Sequence, residues 1–89
     1  MSATYRRSAA TMSADVGDDV VALHADNGFA YGMEEVTATV WRMLDEPRDL
    51  DTLVTRLTNE YDVEEAECRA EVTALLEQMT SEGLVEQVR

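Results

Sequence analysis

The stretch GFAYGMEEVTATVWRMLDEP, residues 28 to 47, changes its period without a linker. After the turn glycine Gly28, Phe29 and Tyr31 alternate with the small Ala30 and Gly32, the two-residue period of a strand. From Glu34 onward Val36, Val40, Met43 and Leu44 recur at helical spacing. Pro47 ends that run, because proline lacks an amide hydrogen and its ring disfavours helical geometry at the residue before it. A strand near 29–33 therefore passes directly into a helix near 34–44.

Upstream, Gly17-Asp18 and Asn27-Gly28 are turn signals that bound two more runs, giving strands near 11–16 and 19–24 in a meander with 29–33. Residues 1 to 10, MSATYRRSAA, are small and polar around adjacent arginines and are expected to be flexible. Downstream, the Asp49 carboxylate is placed to cap a second helix, in which Leu50, Leu53, Val54 and Leu57 share a stripe and Tyr61 lies a turn beyond. A third helix begins at Asp62, with Glu65 at capping-box spacing. Cys68, Val72, Leu75, Leu76 and Met79 line one of its faces, and Gly83 supplies a left-handed stop that folds Leu84 back on Met79. Residues 84–88, LVEQV, read as a last extended piece. The expected architecture is α+β, a three-stranded antiparallel sheet followed by three α-helices, in one domain over residues 11–89. The second and third helices resemble a helix-turn-helix pair, which makes the shape winged-helix-like.

Composition narrows the function. With 45% hydrophobic and 29% charged residues, the 89-residue chain is globular in character. Nineteen acidic residues oppose seven arginines for a net charge of −12. Such a field repels phosphate backbones and anionic membranes, leaving a polypeptide partner, or simple solubility, as its use. The lone cysteine, Cys68, cannot form an internal disulfide, and no run has the length of a membrane span or the apolar core of a signal peptide, so cytoplasmic residence is expected.

Chemistry is sparse. His24, the one histidine, has no second His or Cys at metal-ligand spacing and reads as an ordinary surface or edge residue. Cys68 sits on an apolar helix face, where burial makes a thiol inert. The Glu64–Glu67 run marks a solvated first helical turn, favoured by the helix dipole. No glycine-rich phosphate loop is present. The expectation is a non-enzyme without cofactor or metal. A small meander has two edges, and the 29–33 strand, if it is one, can accept a strand from another chain. The alternative is that the N-terminus covers that edge.

The runs DDVVALHADNGFAYGM, VTATVWRMLDEP, DLDTLVTRLTNEYDV and CRAEVTALLEQMTSEGLV together resemble the PqqD-like family, small leader-peptide-binding proteins and domains of ribosomal peptide natural-product pathways. The resemblance covers roughly residues 15 to 85. Each run is largely hydrophobic periodicity. Their order is the specific part, with the Trp41 helix, the LDEP stop, the Tyr61-Asp62-Val63 turn and the closing EGLV. The resemblance implies a winged-helix-like fold in which a precursor's leader adds as a strand to the third strand, beside the third helix. Carried over, the strand comprises Phe29, Ala30, Tyr31, Gly32 and Met33, and the helix wall comprises Arg69, Val72, Thr73, Leu76 and Met79. Two departures stand out: Met33-Glu34 occupies a junction that is usually Leu-Asn, and Glu71 stands where Asp is common.

Two readings stay open for several of these residues. Val72, Leu76 and Met79 share a stripe with the core, and Phe29 and Tyr31 either pack on the helices or touch ligand. Arg69 either takes an acidic leader side chain or pairs with Glu65 four residues earlier.

The function implied by the resemblance is capture of a precursor leader and its presentation to a separate maturation enzyme, a leader protease or a radical-SAM enzyme, by effective concentration. Stand-alone acidic members resemble those of split lasso-peptide systems. A winged-helix DNA binder is the first rival, although the second and third helices carry only Arg56 and Arg69 as cations. An acidic carrier protein is the second, although it needs a serine at a helix start and Ser81 ends one. The same strand edge also offers a route to a homodimer, and residues 1–10 could order in a complex.

Overall fold

The computed structural model describes residues 3–88. Alternation builds its central sheet. Strands β2 (Thr11–Val16), β3 (Asp19–His24) and β4 (Ala30–Met33) follow β1 (Thr4–Arg7) in the chain, and β3 alternates buried and exposed residues throughout. Val20, Ala22 and His24 face inward, while Val21 and Leu23 join Met12 and Val16 on an exposed apolar face. The order is β2-β3-β4, antiparallel, with Ala22 opposite Tyr31 and Val20 opposite Met33. Gly17 and Gly28, at φ 64° and 71°, make the two turns possible in a conformation that side chains disfavour.

Three helices cover the inner face: α1 (Glu35–Met43), then, after the two-residue β5 (Arg48–Asp49), α2 (Leu50–Glu60) and α3 (Glu65–Ser81). Trp41, Leu44, Leu53, Leu57, Leu76 and Leu84 are fully buried between them, each such side chain contributing about 1.5–3 kcal/mol. Asp49 caps α2, its Oδ1 accepting from the Thr52 amide at 3.0 Å. The expected capping box at Asp62 does not form. The N-cap of α3 is Glu64, without a side-chain cap bond, and the longer Glu side chain is a poor cap. At the other end the Leu84 amide donates to the Met79 carbonyl and the Gly83 amide to Thr80, with Gly83 at φ 77°. This is the expected left-handed stop.

The N-terminal segment departs from expectation. Of residues 1–10, expected to be flexible, residues 1 and 2 lie outside the described part, and Thr4–Arg7 is a strand at the centre of a second sheet ordered β5-β1-β6, with β6 spanning Val85–Val88. Thr4 pairs with both Asp49 and Val88, and Tyr5 is buried. Among the described residues, the N-terminal strand is thus paired with β5 and β6, and none of its residues pairs with β4.

Candidate functional site

His24 prepares the turn into β4. It is 8% exposed, not the surface residue the sequence suggested, and its Nδ1 accepts from the Asp26 amide at 3.2 Å. Asn27 tightens the same turn, its Oδ1 accepting from the Phe29 amide at 2.8 Å. The His24 amide then donates to the Phe29 carbonyl. Hydrogen-bonded and non-hydrogen-bonded pairs alternate along an antiparallel ladder. Tyr31 and Met33, opposite Ala22 and Val20, therefore turn their amides and carbonyls toward β3, and Ala30 and Gly32 turn theirs outward. The far side of β3 agrees, since the Ala25 amide donates to the Ala10 carbonyl and so assigns the odd-numbered residues of β3 to β2. β4 is terminal in its sheet. Its open edge presents the backbone of Ala30 and Gly32.

Beside that edge lies a hollow of about 410 Å³ lined by Tyr31, Met33, Thr37, Leu75, Met79 and Leu84 among others, with Gln78 and Glu82 on its helical wall. A smaller one, formed by Val36, Thr37, Glu71, Val72 and Leu75, continues it toward the start of α3. Thr37 and Leu75 belong to both, so the two form one groove between β4 and α3. Between the lining residues Glu82 and Leu84 stands Gly83, where a Cβ would lie 3.0 Å from His24 Nε2, so the end of α3 meets the turn that leads into β4. β4 and α3 hence run in opposite directions.

The strand residues Ala30, Tyr31, Gly32 and Met33 all line this groove. Phe29 precedes β4 and is 65% exposed. On α3 the expected wall is only partly the observed one. Met79 and Val72 contribute, although both are buried, and Leu76 is wholly core. At about 100° per residue, Arg69 and Thr73 lie on the far side of the helix from Glu71, Leu75, Gln78 and Glu82. Arg69 pairs there with Asp51 of α2 at 2.8 Å, and not with Glu65. Leu75, Gln78 and Glu82 were missed. The signal for them was the half-apolar stripe beside the fully apolar one, where Leu75 interrupts glutamates and glutamine.

Chemically the groove offers backbone donors and acceptors, an apolar floor and carboxylates. No group of His, Cys, Asp and Glu suited to a metal ion occurs among the described residues. Burial, reinforced by the nearby Glu71, pushes the Cys68 thiol up from its ordinary value. No helix among the described residues is long and apolar enough to cross a membrane.

No curated protein is similar enough in sequence to count as a match. Among solved structures, TbiB1 in complex with the TbiA(beta) leader peptide is similar, with a TM-score of 0.89 at 26% identity over 94% of this chain and 98% of that one. Lasso peptide synthetase B1 complexed with the leader peptide shares the fold, with a TM-score of 0.80 at 23% identity over 92% and 96%. The family model for coenzyme PQQ synthesis protein D matches residues 19–85, from β3 through the first residue of β6. This chain, with its sheet, its helical trio and the groove between β4 and α3, belongs to the PqqD family.

Proposed function

We propose that this protein is a non-enzymatic binding module that captures the leader of a ribosomally made precursor peptide by strand addition to β4. One observation carries the reading: the outward amides and carbonyls of Ala30 and Gly32 border a groove whose floor is Tyr31, Met33, Leu75 and Met79. An added strand satisfies those backbone groups, and alternate side chains enter the groove. The similarity to TbiB1, a protein solved with a leader peptide bound, supports it. Tethering the leader raises the effective concentration of the rest of the precursor at a separate maturation enzyme in the cytoplasm, with no chemistry by this chain. A DNA-binding role is disfavoured because Arg69, one of the two cations on α2 and α3, is paired with Asp51.

The test is fluorescence anisotropy with the synthetic leader of a precursor encoded beside this protein's gene, against wild type and Gly32→Pro. Proline at an edge strand's outward amide removes a donor without touching the ladder, and the site of a Cβ at Gly32 is open. Tyr31→Pro, by contrast, removes an amide that β3 uses. Micromolar or tighter binding, lost in a Gly32→Pro variant whose circular dichroism is unchanged, supports capture at this edge. Binding that survives the proline moves the site, and light scattering that shows a leader-sensitive dimer makes a second copy the competing occupant.

A further inference from the structure

Carboxylates stand at both ends of the groove, and no arginine is among its lining residues. The ion pairs among the described residues lie away from it: Arg6 with Glu86, Arg42 with Asp15, Arg48 with Asp45 and Glu46, and Arg69 with Asp51. Around it, Glu82 borders the groove at the Gly83 end, and Glu71 borders it at the other. Glu34 and Glu35 border an adjoining hollow with Gly32, Met33 and Thr37. None of these four carboxylates is ion-paired, and no arginine lines the groove, among the described residues. Among the described residues, Glu82 has a single side-chain polar contact, from Gln78 Nε2, which donates to its Oε1 at 3.4 Å. Between the carboxylates the lining combines Leu75, Met79, Met33 and Tyr31 with the uncharged polar Thr37 and Gln78.

We infer that the peptide this groove selects carries apolar side chains flanked on both sides by lysine or arginine. The inference rests on the strand-addition reading above and adds a charge pattern to it. Glu71 and Glu82 are three turns of α3 apart, about 16 Å at 1.5 Å per residue. A strand rising about 3.4 Å per residue covers that in about five residues. Side chains on one face recur every second residue, so the basic pair falls four or six positions apart, with the apolar anchors between. A peptide with acidic flanks meets like charge at both ends, which makes the groove selective as well as adhesive.

The probes are three synthetic fluorescein-labelled peptides with one strand sequence, Tyr and Leu at alternate central positions, whose flanking pair is Arg, Gln or Glu. Their affinities are measured by anisotropy at low and at high salt, on wild type, Glu71→Gln/Glu82→Gln and Gly32→Pro. Exposed charge pairs are individually modest, so the Arg peptide is expected to bind about three- to tenfold more tightly than the Gln peptide. The Glu peptide should bind most weakly. The spread should collapse at about 1 M salt, where the screening length is about 3 Å, and in the double glutamine variant. Equal affinity for all three peptides, abolished by Gly32→Pro, overturns the charge pattern and leaves peptide capture standing. A preference for the Glu peptide overturns it outright. No binding of any peptide overturns the charge pattern together with the strand-addition reading beneath it.

Discussion

The guanidinium of Arg7 lies 4.6 Å from the centre of the Trp41 ring and donates two hydrogen bonds, at 3.1 and 2.6 Å, to the Trp41 carbonyl. One residue of β1 thereby ties the N-terminal strand to the last turn of α1, adding to the bond that the Trp41 carbonyl accepts from the Leu44 amide at 3.1 Å. Burial lowers the pKa of Arg7 from its ordinary value, and the guanidinium remains charged. At the edge of the same ring, Trp41 Nε1 donates to Ser13 Oγ at 3.0 Å, so β2 is joined to the same anchor.

Replacing Arg7 should therefore loosen more than a terminus. Arg7→Ala forfeits a cation–π contact and charge-assisted hydrogen bonds, and is expected to lower the unfolding free energy by about 2 kcal/mol in urea titration. Arg7→Lys should recover part of that, since an ammonium cannot reproduce the planar fork.

The junction between β4 and α1 is suboptimal and can be improved. Glu34 is the N-cap and makes no side-chain cap bond, and Glu35 holds a left-handed φ of 51°. Glu34→Asn supplies a short acceptor for the first free amides and should raise stability by about 1 kcal/mol. Glu35→Gly relieves a conformation that costs an L-residue about 1–2 kcal/mol and should also raise the urea midpoint.

Gly83 is expected to resist substitution. A Cβ there combines a φ of 77° with an approach of 3.0 Å to His24 Nε2. Gly83→Ala should cost at least about 1 kcal/mol from the backbone alone. Because His24 holds the turn into β4, amide chemical shifts of Asp26 and Asn27 should move in the same variant.

Cys68 should be silent to alkylating reagents in the folded protein at neutral pH and react only on unfolding. Its folded thiol titrates above the unfolded one because burial opposes the thiolate. The contribution to stability is accordingly complete below the unfolded pKa and lost as pH rises through the folded one. Urea midpoints that decline above about pH 9 in wild type, and decline less in Cys68→Ala, check the sign.

Periodicity and turn chemistry made β2, β3 and β4, the three helices and the Gly83 stop legible, because each is encoded within a few residues of itself. β1 was not. Its partners are β5 and β6, far along the chain, and Thr4–Arg7 holds Tyr5 as its single apolar residue, so nothing local marks it as a strand. The start of α3 was misplaced because Asp62 and Glu65 have capping-box spacing, while the Val63 amide turns back to the Tyr61 carbonyl around Asp62 and Glu64 is still extended. On the groove wall, the most apolar stripe of α3 is committed to the core. The groove takes the neighbouring stripe of Glu71, Leu75, Gln78 and Glu82, whose mixed character reads in sequence as a solvated face. Orientation about a helix axis is set by what packs behind it, and here that is α2, through Leu53, Val54 and Leu57.

The central claim is strand addition at β4, and amide hydrogen exchange followed by NMR tests it most directly. In the free protein the Tyr31 and Met33 amides, bonded to β3, should exchange slowly, and those of Ala30 and Gly32 quickly. Saturating leader peptide should slow Ala30 and Gly32 and leave Tyr31 and Met33 as they were. Saturated binding with Ala30 and Gly32 still exchanging at their free rates would contradict the account.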